Sequence, residues 1–101
     1  MADAATPLSH DTEPILEAVP NFSEGRDPQV IDRIATAMDG VPGAHVLHVD
    51  PGYAAHRTVI TVAGAPQAVV EACFRGIGTA AHHIDMRQHQ GTHPRMGATD
   101  V

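Results

Sequence analysis

Apolar and polar positions follow three rhythms along this 101-residue chain. Residues 1–13, MADAATPLSHDTE, follow none of them: small, polar and aperiodic, they read as a disordered lead-in. Pro14 to Pro20, PILEAVP, is a short apolar run closed by a proline and predicts a first strand, with NFSEGR after it as a loop. Asp27 and Pro28 then supply an N-cap and a proline at the first helical position. Val30, Ile31, Ile34, Ala35 and Met38 recur at helical spacing until Gly40 and Pro42 end the pattern. AHVLHVD, from Ala44 to Asp50, predicts a second strand, and PGYAAH a turn-rich connection. RTVITVAG, from Arg57 to Gly64, holds five consecutive β-branched residues and is the clearest strand in the chain. Pro66 opens a second helix with an apolar stripe at Val69, Val70, Cys73, Phe74, Ile77, Ala80, Ala81 and Ile84. Gly76 and Gly78 interrupt it, each at a cost of about 1 kcal/mol relative to alanine, which close packing of helix on sheet would offset. MGATDV begins a last strand.

The order β-α-β-β-α-β predicts a single α/β (α+β) domain over residues 14–101, the ferredoxin-like split motif. Its antiparallel sheet carries two helices on one face, and its last strand is cut short at Val101. Right-handed crossovers put the third strand between the first and the second, with the fourth outside the first. Three connections then meet at the end where the first strand finishes, the top: NFSEGR, DPGYAAHR and RQHQGTHPR. The bottom connections, GVPG and GAP, offer nothing reactive. Polar chemistry sorted to one end is what a site looks like.

Composition narrows the function classes. The formal charge is -6 and lysine is absent, so no basic face exists for phosphate neutralisation and nucleic acid is excluded as a partner. Cys73 is the one cysteine, which rules out an intrachain disulfide and suits a reducing compartment. No stretch could span a bilayer and no signal-peptide pattern opens the chain, so the expected location is the cytoplasm, away from membranes. Aromatic residues make up 3% of the chain, so the core must rest on Val, Ile, Leu and Ala.

Eight histidines are the compositional anomaly, and histidine titrates nearest neutral pH. In RQHQGTHPR, Gly91 permits a tight turn and Pro94 pushes His93 into an extended conformation. His93 is thus a stiffly held imidazole able to accept and donate a proton. Asp50 at the top of the second strand and Glu24 in the first loop are the carboxylates available to fix its tautomer. Arg57 and Arg95 suit bidentate capture of a substrate carboxylate.

VPNFSEGR, VDPGYAAHRTV and IDMRQHQGTHPRMGATDV together resemble the N-terminal subdomain of the formiminotransferase family. The likeness runs from about Leu16 to Val101 and keeps the three motifs in order. It implies glutamate formimidoyltransferase activity: transfer of a formimidoyl group from N-formimidoyl-L-glutamate to tetrahydrofolate, the co-substrate, in histidine degradation, without a metal. It also implies that His93, the histidine of the H-P-R triplet, is the catalytic acid and base. We assign Asp50 as its orienting partner, and Asn21, Ser23, Glu24, Arg57, His89 and Arg95 to substrate binding.

Two positions depart from the family pattern. His56 stands where asparagine is common before R-T-V, and His48 where an acidic residue is common two before Asp50. Family members also continue into a second, C-terminal subdomain that completes the folate groove. The expectation is therefore that these 101 residues alone are inactive, and that the complete protein is a homodimer. Two rivals compete with catalysis. His89 and His93 have the i, i+4 spacing of zinc-binding helices, but Gly91 and Pro94 break any helix there. The other rival is a ferredoxin-like module that binds a small molecule without catalysis.

Overall fold

The computed structural model describes residues 14–84 and, as backbone only, the strand at 99–100. The elements are β1 (Leu16–Ala18), β2 (Asn21–Phe22), α1 (Pro28–Asp39), β3 (Ala44–Gly52), β4 (Arg57–Gly64), α2 (Pro66–His83) and β5 (Thr99–Asp100). The lead-in and the segment holding His89, His93 and Arg95 lie outside the described residues.

The expected first strand extends further than its proline suggests. β1 and β2 lie in one lane against β4, with Ala18 opposite Val62 and Asn21 opposite Val59. Pro20 interrupts the ladder because it has no N–H to give, yet its carbonyl still accepts from Ile60 N at 3.0 Å. The lane therefore runs on to Phe22, which is fully buried and one of the largest core side chains. Reading NFSEGR as loop throughout missed this residue.

β3 pairs antiparallel with β4 on its other edge, and β5 pairs antiparallel with β2. The spatial order is β3, β4, β1/β2, β5, the antiparallel arrangement expected of the split fold. β3 carries a bulge between Val46 and His48 and continues past Asp50 to Gly52. Both helices pack on the face bearing Phe22, Ile60 and Val62, where Ile34, Met38, Val69, Ala72 and Ala80 complete the core. No helix among the described residues is long and apolar enough to cross a membrane.

α1 begins as the sequence predicts: the Asp27 side chain accepts from Gln29 N at 2.9 Å, and Pro28 is the first helical residue. α2 turns a different face inward than its bulky residues suggest. Its buried positions are Val69, Ala72, Gly76 and Ala80, whereas Val70, Phe74 and Ile77 are 63%, 71% and 40% exposed. Small residues win because the helix lies close over Met38 and Phe22, where larger ones do not fit. Cys73 is half-buried at the edge of this contact, and burial pushes its thiol above the usual range.

The two glycines of α2 separate on this point. A Cβ at Gly76 would lie 2.9 Å from Met38 Sδ and 3.1 Å from Phe22 Cζ, while one at Gly78 would meet none of the described residues within 4 Å. Close packing thus accounts for Gly76 and not for Gly78. Gly78→Ala should stabilise the domain by about 1 kcal/mol through helix propensity alone. Gly76→Ala should lose that gain to overpacking, ending about 1 kcal/mol below the parent. Urea midpoints of both variants check the difference in sign.

Candidate functional site

The sheet register decides which polar residues meet. Asp50 and Asn21 both pair with Val59 of β4, from opposite sides, so the three share one row on the sheet face away from the helices. In the backbone ladder Asp100 of β5 pairs with Asn21. Arg57 lies two residues from Val59 on the same strand, hence on the same face and one step nearer the top. Three residues expected in the site, Asn21, Asp50 and Arg57, are brought together by alternation and register. Asp50 is exposed, and no side-chain hydrogen bond of its carboxylate is found among the described residues.

Arg57 stands apart from a solvated surface charge. Its Nε is buried and has no hydrogen-bond partner among the described residues. An unmet donor on a guanidinium costs about 1–3 kcal/mol, so an acceptor arriving there would be bound with corresponding gain.

The first loop folds over the hairpin between β3 and β4. Ser23 and Glu24 are 3% and 6% exposed, so neither is a free loop residue. Glu24 Oε2 accepts from Arg26 N at 3.0 Å and Asp27 N at 2.9 Å, tying the loop to the start of α1. Thr58 Oγ1 donates to the Glu24 carbonyl. Arg26 Nε donates to Tyr53 O at 2.9 Å, and its guanidinium carbon sits 4.8 Å from the centre of the Tyr53 ring. Gly25 has no room for a side chain: a Cβ would overlap Gly52 O and the backbone N and O of Arg57.

His56 closes this arrangement. It ends the hairpin turn with φ at 55°, and its N–H donates to Tyr53 O at 3.1 Å. The left-handed region favours Asn, Asp and His among residues with a side chain, which explains how histidine stands where asparagine is common. The ring is buried, its Nδ1 accepts from Gly25 N at 3.0 Å, and Glu24 Oε2 lies 3.5 Å from the same nitrogen. Arg26, Tyr53, His56 and Thr58 were all absent from the expected site. A histidine at the last turn position before a strand was the available signal for His56. The other three act through contacts between segments far apart in the chain, which no local side-chain pattern reveals.

The top of the sheet therefore gathers the first loop and the hairpin. β5 joins them by direction: Thr99, where it starts, pairs with Phe22, where β2 ends. The chain accordingly enters β5 at this same end. The acid–base pair of His93 with Asp50, and the contacts of His89 and Arg95, fall outside the described residues. Among the described residues no group of three or more His, Cys, Asp and Glu side chains is placed to hold a metal ion.

Comparison with known proteins covers almost all of this architecture. The family model described as "Formiminotransferase domain, N-terminal subdomain" matches residues 15–101. The formimidoyltransferase-cyclodeaminase of Rattus norvegicus is 51% identical over 87 residues, which is 86% of this chain and 16% of that protein. The protein of the same name from Dictyostelium discoideum is 47% identical over the same span. The glutamate formimidoyltransferase of Streptococcus pyogenes serotype M1 is 42% identical over 87 residues, and the chain spans 29% of its length.

Proposed function

The chain belongs to the formiminotransferase family as its N-terminal subdomain, and from that premise we propose that it carries part of the active site for formimidoyl transfer from N-formimidoyl-L-glutamate to tetrahydrofolate. The observation that carries this reading is the family match over residues 15–101. The Nε of Arg57, buried and without a hydrogen-bond partner among the described residues, supports it, because a glutamate-derived substrate brings carboxylates to satisfy such a donor.

In the proposed reaction the N-5 amine of tetrahydrofolate attacks the formimidoyl carbon and forms a C–N bond. The tetrahedral intermediate loses a proton from N-5 and gains one on the glutamate nitrogen, and the bond to that nitrogen breaks. His93 takes the first proton and delivers the second, with Asp50 orienting its ring. Arg57 and Arg95 hold the carboxylates, while Asn21, Ser23, Glu24 and His89 shape the pocket around them. The chain spans 16% to 29% of the relatives compared, and in this reading a C-terminal subdomain supplies the rest of the folate surface.

Joining these residues to the remainder of the Streptococcus pyogenes relative at the matching position tests the reading. Transfer is expected from the fusion and not from the 101-residue chain alone. An inactive fusion beside an active unaltered relative would count against it. In the active fusion, Arg57→Lys keeps the charge but removes Nε and the planar fork. KM for N-formimidoyl-L-glutamate should rise about 10- to 100-fold with kcat little changed. An unchanged KM would remove Arg57 from the substrate site.

A further inference from the structure

We propose that His56 is a positioning residue: its unprotonated Nδ1 holds the first loop against the β3–β4 hairpin, so the geometry of that loop depends on the protonation state of this ring. Three observations carry the assignment. First, Gly25 N lies 3.0 Å from His56 Nδ1 in donor geometry, and a backbone N–H can only donate. Nδ1 must therefore present its lone pair, which puts the ring proton of the neutral form on Nε2. Second, the hydrogen bond is buried and joins residues 31 apart in sequence, so it links two segments rather than decorating one. Third, the turn fixes the backbone from which the ring reaches: His56 holds φ at 55° and anchors its own N–H on Tyr53 O.

The loop so held contains Ser23 and Glu24 and follows directly on Asn21 and Phe22 of β2. The missing Cβ of Gly25 lets its backbone lie against Gly52 and Arg57, and His56 supplies the acceptor its N–H would otherwise lack there. Among the described residues, the charged group facing Nδ1 is the Glu24 carboxylate at 3.5 Å, from the first loop. From the hairpin side, Arg57 follows His56 in the chain, and Tyr53 opposite it carries Arg26 over its ring. With Nδ1 unprotonated, no hydrogen bond joins it to Glu24 Oε2, since both atoms are acceptors. Protonation reverses the pattern. Nδ1–H then donates toward Glu24 Oε2, and Gly25 N–H loses its partner. Glu24 Oε2 also receives the N–H groups of Arg26 and Asp27, so the exchange reaches the start of α1.

This role deepens the functional reading, because the loop concerned belongs to the proposed site, but its test reads the hydrogen bond itself and can fail separately from any assay of transfer. The 101-residue chain labelled with ¹⁵N is titrated from about pH 5 to about pH 8 while the His56 ring nitrogens and the Gly25 amide are followed by NMR. At the upper end, Nδ1 should show the shift of an unprotonated nitrogen and Nε2 that of a protonated one. The Gly25 amide should move with the same midpoint as the ring. A ring found protonated on Nδ1 in its neutral form, or a Gly25 amide indifferent to a titrating ring, overturns the proposal. If the ring stays neutral throughout, the Nδ1 shift alone decides.

Two variants sharpen the result without disturbing the turn. His56→Asn tolerates the left-handed conformation and offers an amide oxygen as acceptor, so Gly25 should stay protected from hydrogen exchange and lose its titration. His56→Gly also accepts that conformation but has no acceptor. Protection of the Gly25 amide should fall about tenfold. Undiminished protection in His56→Gly contradicts the role, and the titration of the unaltered chain stands whether or not either variant folds.

Discussion

Gly25→Ala is expected to destabilise the domain by about 3 kcal/mol, a large part of the stability such a domain possesses. The reason is where the added methyl would go. Its contacts are Gly52 O and the backbone N and O of Arg57, all of them main-chain atoms in the paired strands of the hairpin. A flexible side chain could swing aside, but here either the sheet ladder or the loop must shift. Moving the loop breaks the Gly25–His56 hydrogen bond and displaces the Thr58 hydroxyl from the Glu24 carbonyl, so a buried donor is stranded as well. Equilibrium urea denaturation of the variant and the parent measures the loss. A change below about 0.5 kcal/mol, the range of ordinary surface substitutions, would mean that the first loop does not rest on the hairpin as described.

The second large effect concerns rate rather than stability. In the active fusion, His93→Ala should lower kcat about 10²- to 10⁴-fold, the usual contribution of a positioned acid and base. Binding of tetrahydrofolate should persist, since the role proposed for the histidine is to move protons. The pairing of these two readouts separates the enzyme from the rival binding module. Retained turnover after the substitution would leave His93 without a catalytic role and favour the module. Loss of binding together with turnover would show that the residue supports the pocket instead.

Local signals sufficed wherever the backbone responds to its immediate neighbours. The N-cap Asp27, the proline after it and the β-branched run from Thr58 to Val62 each act within a few residues, and α1 and β4 begin where they indicate. Strand order followed too, because handed crossovers leave few arrangements for this sequence of elements. Other features needed partners from elsewhere in the chain. Phe22 is core because β4 extends the first lane past Pro20, which a proline read in isolation argues against. Val70 and Phe74 lie outward because α2 turns Val69, Ala72, Gly76 and Ala80 to the core, and at Gly76 Met38 and Phe22 leave no room for a side chain.

The site divides in the same way. Topology predicts that the polar connections share one end of the sheet, and the two that are described, the first loop and the β3–β4 hairpin, do meet there. Asn21 and Asp50 could be named from their motifs, and the register then set them in one row across Val59. The junction of Gly25, Glu24 and His56 could not be read this way. Segments 31 residues apart meet there through a backbone N–H and a ring nitrogen, and neither group leaves a periodic trace in the sequence.

Amino-acid order by itself determined the elements, their succession and the family, because these depend on propensities and motifs contained within short stretches. Only the tertiary structure decided which loop residues are buried, that Arg57 Nε has no partner among the described residues and that Gly25 N–H meets the His56 ring. Burial and hydrogen-bond pairing depend on what the rest of the chain brings into contact, and that is fixed only when the strands are in register.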